Sequence, residues 1–284
     1  MKPMHILVTG ASGHIGRHLC AALAAAGHTV TGTDRTPAPD GAPGRHLVGD
    51  LRDRAFVTGL MTGVDAVVHL AAIPSPHGYP DDEIFAANAH TTYLVLDEAG
   101  RAGIHRAAIA SSLSVLGLAW ADRDVPPAYV PVDEDHPILA EDPYALSKQA
   151  AEATAAMAHR RWGIDVIALR LPFVGTGERL AEHVRRTRDD PASTRRELWG
   201  WLDTRDAAEA FRLALCAPLH GAHVLNVTAP TTMSDRPTEE LLARLHPGVR
   251  RRAALPGHDS VFDNARCRAL LGFTPRHTDP EGHR

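Results

Sequence analysis

The segment His5–Thr9 runs without interruption into Thr9-Gly10-Ala11-Ser12-Gly13-His14-Ile15-Gly16, and this junction constrains the chain more than any other feature. An apolar strand that meets three closely spaced glycines and then opens a helix brings backbone N–H groups into the open at a helix N-terminus. Glycines permit the tight turn and the close approach of backbone to a pyrophosphate, while the helix end adds partial positive charge. In this setting Gly10, Ser12, Gly13, His14, Ile15 and Gly16 are candidate dinucleotide contacts. Asp34, 18 residues beyond Gly16, ends the next apolar run. A carboxylate there accepts hydrogen bonds from both hydroxyls of an adenine ribose and repels a 2′-phosphate, which favours NAD over NADP. Arg35 beside it works the other way, because its charge suits such a phosphate.

The rest of the chain repeats the strand–helix rhythm. Strands are expected at His5–Thr9, Thr29–Thr33, Arg45–Val48, Ala66–Leu70, Arg106–Ala110, Asp165–Arg170 and His223–Val227, with helices at His14–Ala26, Arg54–Met61, Asp82–Ala102, Pro143–Trp162 and Thr204–Cys216. Runs such as Val166-Ile167-Ala168-Leu169 are continuously apolar, which suits a parallel sheet covered on both faces. The expected fold is α/β: a doubly wound parallel-sheet Rossmann fold with a small C-terminal substrate lobe. Residues 1–174, with 202–228 completing the sheet, form the dinucleotide-binding part. The charged insert 175–201 and residues 229–284, with short helices near Ser234–Leu245 and Asn264–Leu271, form the lobe. The Pro-rich stretch Trp120–Pro131 reads as a surface loop.

With 30 basic and 34 acidic side chains the protein has no electrostatic case for nucleic acid. No run approaches the ~18 apolar residues of a membrane span, and no secretory signal is evident. Three scattered cysteines, Cys20, Cys216 and Cys267, suggest reduced thiols and a cytoplasmic location. His14 and His18 share a helix face, but no carboxylate or cysteine completes a metal set, so no metal is expected.

Later motifs resemble those of the extended short-chain dehydrogenases/reductases, the NAD-dependent epimerase/dehydratase group. Asp50-Leu51 follows strand three, His69-Leu70-Ala71-Ala72 ends strand four, Asn88 lies on a helix, Ser111-Ser112 closes strand five, and Tyr144-Ala145-Leu146-Ser147-Lys148 supplies a Tyr-x3-Lys pair. The similarity runs from His5 to about Asp206. It implies that Asp50, Leu51, Leu70, Ala71, Ala72, Asn88, Pro172 and Val174 border the cofactor, and that Lys148 reaches the nicotinamide ribose. It further implies that Ser112, Tyr144 and Lys148 are catalytic.

Tyr144 and Lys148, four apart, share a helix face. An adjacent ammonium and the positive charge of a bound nicotinamide are together expected to lower the tyrosine pKa from ~10 toward neutrality, so that the phenolate removes a hydroxyl proton while hydride passes to the nicotinamide. Ser112 holds the reacting oxygen, with Ser111 as its neighbour.

Departures from the resemblance narrow the activity. Leu113 and Ser114 stand where 4,6-dehydratases carry an Asp-Glu pair, Leu113 where uronate dehydrogenases carry Asn, and Phe173 where nucleotide-sugar enzymes carry Asn. What remains is an oxidoreductase that interconverts a hydroxyl and a carbonyl on a sugar-like or polyol molecule. An epimerase with tightly retained NAD is the alternative. A non-catalytic NAD-binding protein is the third reading, although its usual mark, loss of Tyr144 or Lys148, is absent. Ser75, His77, Phe173 and Arg205 are candidate substrate contacts, with Tyr79 near them and Asp206 expected to cap or charge the start of the last long helix. The insert arginines read mainly as a solvated face. The helices Asp82–Ala102 and Pro143–Trp162, with Phe85, Tyr93, Leu94, Val95, Ala151, Ala155 and Met157, are expected to build a four-helix bundle in a homodimer.

Overall fold

The computed structural model describes residues 2–280; the outer ends of the two expected units, Met1 and 281–284, lie outside the described residues. In chain order the elements are β1 (His5–Thr9), α1 (His14–Ala25), β2 (Thr29–Asp34), β3 (Arg45–Val48), α2 (Arg54–Leu60), β4 (Ala66–His69), α3 (Asp81–Arg101), β5 (Arg106–Ser112), β6 (Tyr129–Val130) and α4 (Pro143–Trp162). There follow β7 (Asp165–Leu171), β8 (Phe173–Gly175), α5 (Glu178–Asp189), β9 (Trp201–Asp203), α6 (Thr204–Cys216), β10 (Ala222–Asn226), α7 (Thr238–Leu245), β11 (Arg250–Arg251) and α8 (Ala265–Leu271). Single 3-10 turns cover Leu113–Leu116 and Pro191–Glu197.

Seven strands form one parallel sheet in the order β10-β7-β5-β4-β1-β2-β3. The order reverses between β1 and β4, which opens a crevice at the carboxyl edge where ligands bind in such sheets. The continuous apolar runs follow from cover on both faces. Along β1, Ile6 and Val8 pack with Leu19, Leu23 and Phe211 of α1 and α6, while Leu7 faces Val57, Val95 and Ala155 of α2, α3 and α4. α3 and α4 lie side by side, so Leu94, Val95, Ala151 and Ala155 are spent on the interior, whereas Phe85 stays exposed and Tyr93 and Met157 half-buried.

Helix starts follow local chemistry. The carboxylates of Asp53, Asp142 and Asp203 accept backbone N–H bonds at the heads of α2, α4 and α6, and Pro143 occupies the first turn of α4. α7 starts at Thr238 rather than Ser234, since Pro237 precedes it and Ser234 instead accepts the Arg236 N–H in a turn. β5 runs two residues beyond its expected end because Ser111 and Ser112 stay in register with Arg170 and Leu171 of β7. That extension carries Ser112 to the lip of the crevice. Beyond the sheet, a separate core of Leu116, Val132, Trp199, Leu242 and Phe262 joins the segment after β5 to the chain around α7. No helix among the described residues is long and apolar enough to cross a membrane.

Candidate active site

One cleft of about 1160 Å³ runs along the carboxyl edge, from the glycine turn to the segment after β8. Ordinary small-molecule sites occupy ~300–1,000 Å³, so this one has room for a dinucleotide and a second reactant. Its first half is built by backbone. Gly10 has φ +68°, and a Cβ there would stand 2.7 Å from the Ala71 nitrogen; at Gly16 it would stand 2.1 Å from the Gly10 oxygen. These glycines let β1, α1 and the β4 exit close on one another. Gly13 precedes α1 and gives it no side-chain cap, unlike the aspartates at the heads of α2, α4 and α6, and the first turn of α1 holds no acidic residue. The helix head is left open to an anion.

Asp34 ends β2 and accepts N–H bonds from Ser12 at 3.1 Å and Arg35 at 2.7 Å, which fixes its carboxylate at the cleft wall. The Ser12 hydroxyl donates to the Thr36 and Pro37 carbonyls, so it pins the loop behind Asp34. Asp50, Leu51, Leu70, Ala71 and Ala72 line the same half, as do His14, Ile15 and Arg35. Asp50 is clasped by Arg52, with Nη2 at 2.6 Å, and the guanidinium hydrogen bond holds its carboxyl below the usual range.

The second half brings Ser112, Tyr144 and Lys148 together with Pro172, Phe173 and Val174. Lys148 Nζ donates to the Ala110 carbonyl at 2.9 Å and lies 5.6 Å from the Tyr144 ring centroid. Ser112 Oγ accepts the Ser114 N–H at 3.1 Å and faces the Leu171 carbonyl at 3.5 Å. Asn88 is buried and turns its amide to structure: Oδ1 accepts the Ile73 N–H at 2.7 Å, and Nδ2 donates to the Ile73 carbonyl and to Ser147 Oγ. It fastens the β4 exit to α4. Ser111 donates to Glu152 at 2.6 Å, and Glu152 forms a buried bidentate pair with Arg170, both contacts 2.8 Å. This pair ties α4, the end of β5 and the end of β7 to one another, so Ser112, Tyr144 and Lys148 are all set from rigid elements.

Burial dominates the electrostatics of this pair. Burial pushes the Tyr144 phenol up to about 12, with Ser112 working against the rise and Asp142 adding to it. Burial likewise pushes the Lys148 ammonium down to about 8. Desolvation is the largest influence on both groups. The nearby His69 is held neutral by burial, its pKa brought down to about 3, while its ring bonds Thr9 and Thr92.

The other substrate candidates divide. Ser75 and Phe173 line the cleft. His77 does not; it packs edge-on against Trp120, 5.1 Å between centroids, and Trp120 takes the lining position. Tyr79 is exposed away from the cleft. Arg205 is also outside, folded back on Asp203 by two 2.8 Å contacts. Asp203 caps α6, while Asp206 is the acidic residue of its first turn, buried and receiving the backbone N–H groups of Arg276 and His277. The insert is only in part a solvated face: Arg185 is exposed outside the cleft. Arg179, His183, Arg186, Arg195 and Arg196 all line the cleft, where Glu197 pairs with His183 and Arg186, and Asp124 with Arg195 and Arg196. Sequence reasoning missed His183 and Trp120 as lining groups, and no local signal marks either: one sits in a basic helix, the other in a Pro-rich loop.

Residues 6–228 match the NAD dependent epimerase/dehydratase family. The chain belongs to that family. The open helix head, the close-packed glycines and Asp34 at the cleft wall fit an NAD dinucleotide. Among its relatives, L-arabinose 1-dehydrogenase (NAD(P)(+)) of Haloferax volcanii is 32% identical over 75% of this chain and 83% of its own length. Uronate dehydrogenase of Pseudomonas putida is 29% identical over 58% of this chain. The chain spans 59% of that dehydrogenase and 36% of sterol demethylase protein B of Methylococcus capsulatus. Among solved structures, MoeE5 in complex with UDP-glucuronic acid and NAD superposes with a TM-score of 0.72 at 28% identity, covering 98% of both chains.

Proposed function

We propose that this family member is an NAD-dependent dehydrogenase that oxidises a hydroxyl of a sugar-like molecule bearing a negative charge. The observation that carries the reading is the meeting of Ser112, Tyr144 and Lys148 between a dinucleotide half-cleft and a half-cleft rich in arginine. The guanidinium groups of Arg179, Arg186, Arg195 and Arg196 outnumber Glu197 and Asp124, the carboxylates that answer them. That surplus suits a sugar acid or sugar phosphate over a neutral sugar. Residues 1–174 with 202–228 hold the cofactor in this reading, and 175–201 with 229–284 face the substrate. The sugar substrates of the dehydrogenase relatives and the nucleotide sugar bound by MoeE5 support the class of molecule.

NAD, when bound, supplies the hydride acceptor and a positive charge beside Tyr144. Ser112 Oγ orients the substrate oxygen. Tyr144 Oη takes its proton as the carbon–hydrogen bond gives up hydride and the carbonyl forms. The protonated Lys148 lowers the energy of the phenolate that this transfer needs. Asn88 and Glu152 position these groups through α4.

The test is a panel of neutral sugars, sugar acids, sugar phosphates and nucleotide sugars with NAD, followed by NADH absorbance. Net NADH with an acidic member supports the proposal. Stereochemical inversion without NADH release would move the assignment to an epimerase, and turnover of neutral sugars alone would refute the charged-substrate reading. The protein is further proposed to be cytoplasmic, in keeping with three free cysteines, and to dimerise through the outer faces of α3 and α4, where Phe85 and Leu146 are exposed. Light scattering at micromolar concentration should then give twice the 30.5 kDa chain mass; a fully active monomer would refute it.

A further inference from the structure

The substrate half of the cleft has an aromatic wall that the hydride transfer itself does not use. Trp120 lies in the Pro-rich segment after β5 and lines the cleft together with Ser112 and Tyr144. Its half-buried ring packs against the apolar cluster of Ile73, Ile84 and Tyr144. The indole therefore stands beside the group assigned to take the substrate's proton. His77 meets it in a T-shaped contact, 5.1 Å between centroids, which braces the ring from the segment after β4. Among the described residues nothing accepts from the indole N–H, and that nitrogen is not sealed from solvent.

The loop that carries Trp120 is fastened to the arginine-rich insert. The carbonyl of Ala121, the next residue, accepts from Arg196 Nη1 at 2.5 Å, and Asp124 pairs with Arg195 at 3.1 Å. Both arginines also line the cleft. The indole is thus set in place before a ligand arrives, so little ordering cost falls on binding. A cyclic sugar carries hydroxyls around its rim and C–H groups on its faces. A flat apolar surface with a single N–H at its edge matches that pattern, while nearby guanidinium groups match an acid. An open-chain acid of the same charge has no such face to offer.

We propose that Trp120 is the specificity-determining residue that selects a ring-form substrate, its indole taking the C–H face of a cyclic sugar acid beside Tyr144. The inference rests on the acidic-sugar reading of the cleft and goes beyond it: the discrimination between a ring and an open chain is assigned to one side chain. The arginines of the insert then answer the charge, which both kinds of acid share.

The test compares D-glucuronate, a cyclic acid, with D-gluconate, an open chain of equal charge. Each is titrated calorimetrically into the full-length protein with ADP-ribose present, so that no turnover intervenes. The wild type is expected to bind glucuronate about tenfold more tightly than gluconate. Trp120→Ala should lose about tenfold toward glucuronate and stay within about twofold toward gluconate. Trp120→Phe keeps a flat face and should recover most of the glucuronate affinity. A second readout needs no affinity difference. Of the four tryptophans, all within the described residues, only Trp120 lines the cleft; Trp199 and Trp201 are fully buried, and Trp162 packs between Arg101 and Arg161. Glucuronate should therefore change the tryptophan fluorescence of the wild type and leave that of Trp120→Phe unchanged. Equal losses toward both acids in Trp120→Ala, equal wild-type affinities, or a fluorescence change that persists in Trp120→Phe would each overturn the proposal. A wild-type protein that binds neither acid would instead overturn the acidic-sugar reading, and this inference with it.

Discussion

Replacing Lys148 by Met should stabilise the cofactor-free protein while disabling it. Burial brings the Lys148 pKa from 10.5 to about 8. At ~1.4 kcal/mol for each tenfold change, the folded ammonium is disfavoured by about 3 kcal/mol at neutral pH relative to the unfolded chain. Methionine matches the apolar stem and carries no charge to desolvate. It forfeits the 2.9 Å bond to the Ala110 carbonyl, worth about 1.5–3 kcal/mol as a charge-assisted contact. The two effects leave a net gain of about 1 kcal/mol.

The pH dependence gives the sharper signature. Below about 8 the lysine is charged in both states and the full penalty applies. Between about 8 and 10.5 the folded protein releases its proton while the unfolded chain keeps it, so wild-type stability rises with pH and the variant's advantage disappears. Urea unfolding of both proteins across this range, without cofactor, measures the difference directly. A variant less stable than the wild type by more than about 1 kcal/mol at pH 7, or a difference that does not change with pH, would refute the desolvation argument. Turnover with NAD should fall at least about 100-fold in the same variant, since the phenolate loses its supporting cation.

Tyr144→Phe should keep NAD affinity and lose at least about 100-fold in turnover, because it removes only the proton acceptor; near-wild-type rates would end the assigned mechanism. With the phenol at about 12, a difference titration of wild type against this variant should show no phenolate signal near neutrality until NAD is added. Asp34→Ala should narrow the preference for NAD over NADP by about tenfold, as Arg35 then meets a 2′-phosphate without a competing carboxylate; equal affinities in the wild type, by calorimetry, would contradict the role given to Asp34. Glu152→Gln strands the buried Arg170 charge and should lower unfolding stability by about 3 kcal/mol. An unchanged urea midpoint would show that the pair does not hold α4 to β5 and β7.

The sequence by itself determined the parts whose physics is local. A strand that meets Gly10, Gly13 and Gly16 has few alternatives to a nucleotide turn, and unbroken apolar runs such as Val166–Leu169 must be covered on both faces. The Tyr144–Lys148 spacing likewise fixes a shared helix face. Those features gave the sheet, its helices and the three side chains, Ser112, Tyr144 and Lys148, that meet in the cleft. Tertiary structure alone decided what surrounds them. Arg186, Arg195 and Arg196 look like an exposed basic run until the fold turns them into the cleft, because a charge pattern on a helix records only its period and not which neighbour it faces. Arg205 was lost to Asp203 two residues away, and Asp206 was drawn to residues 276 and 277 across the fold, contacts for which the chain carries no local mark. The protonation of Tyr144 and Lys148 was decided the same way: their spacing is written in the helix, but the burial that drives their pKa values apart comes from β5, β7 and α3 closing around them, and desolvation depends on what excludes water rather than on what lies next in the chain.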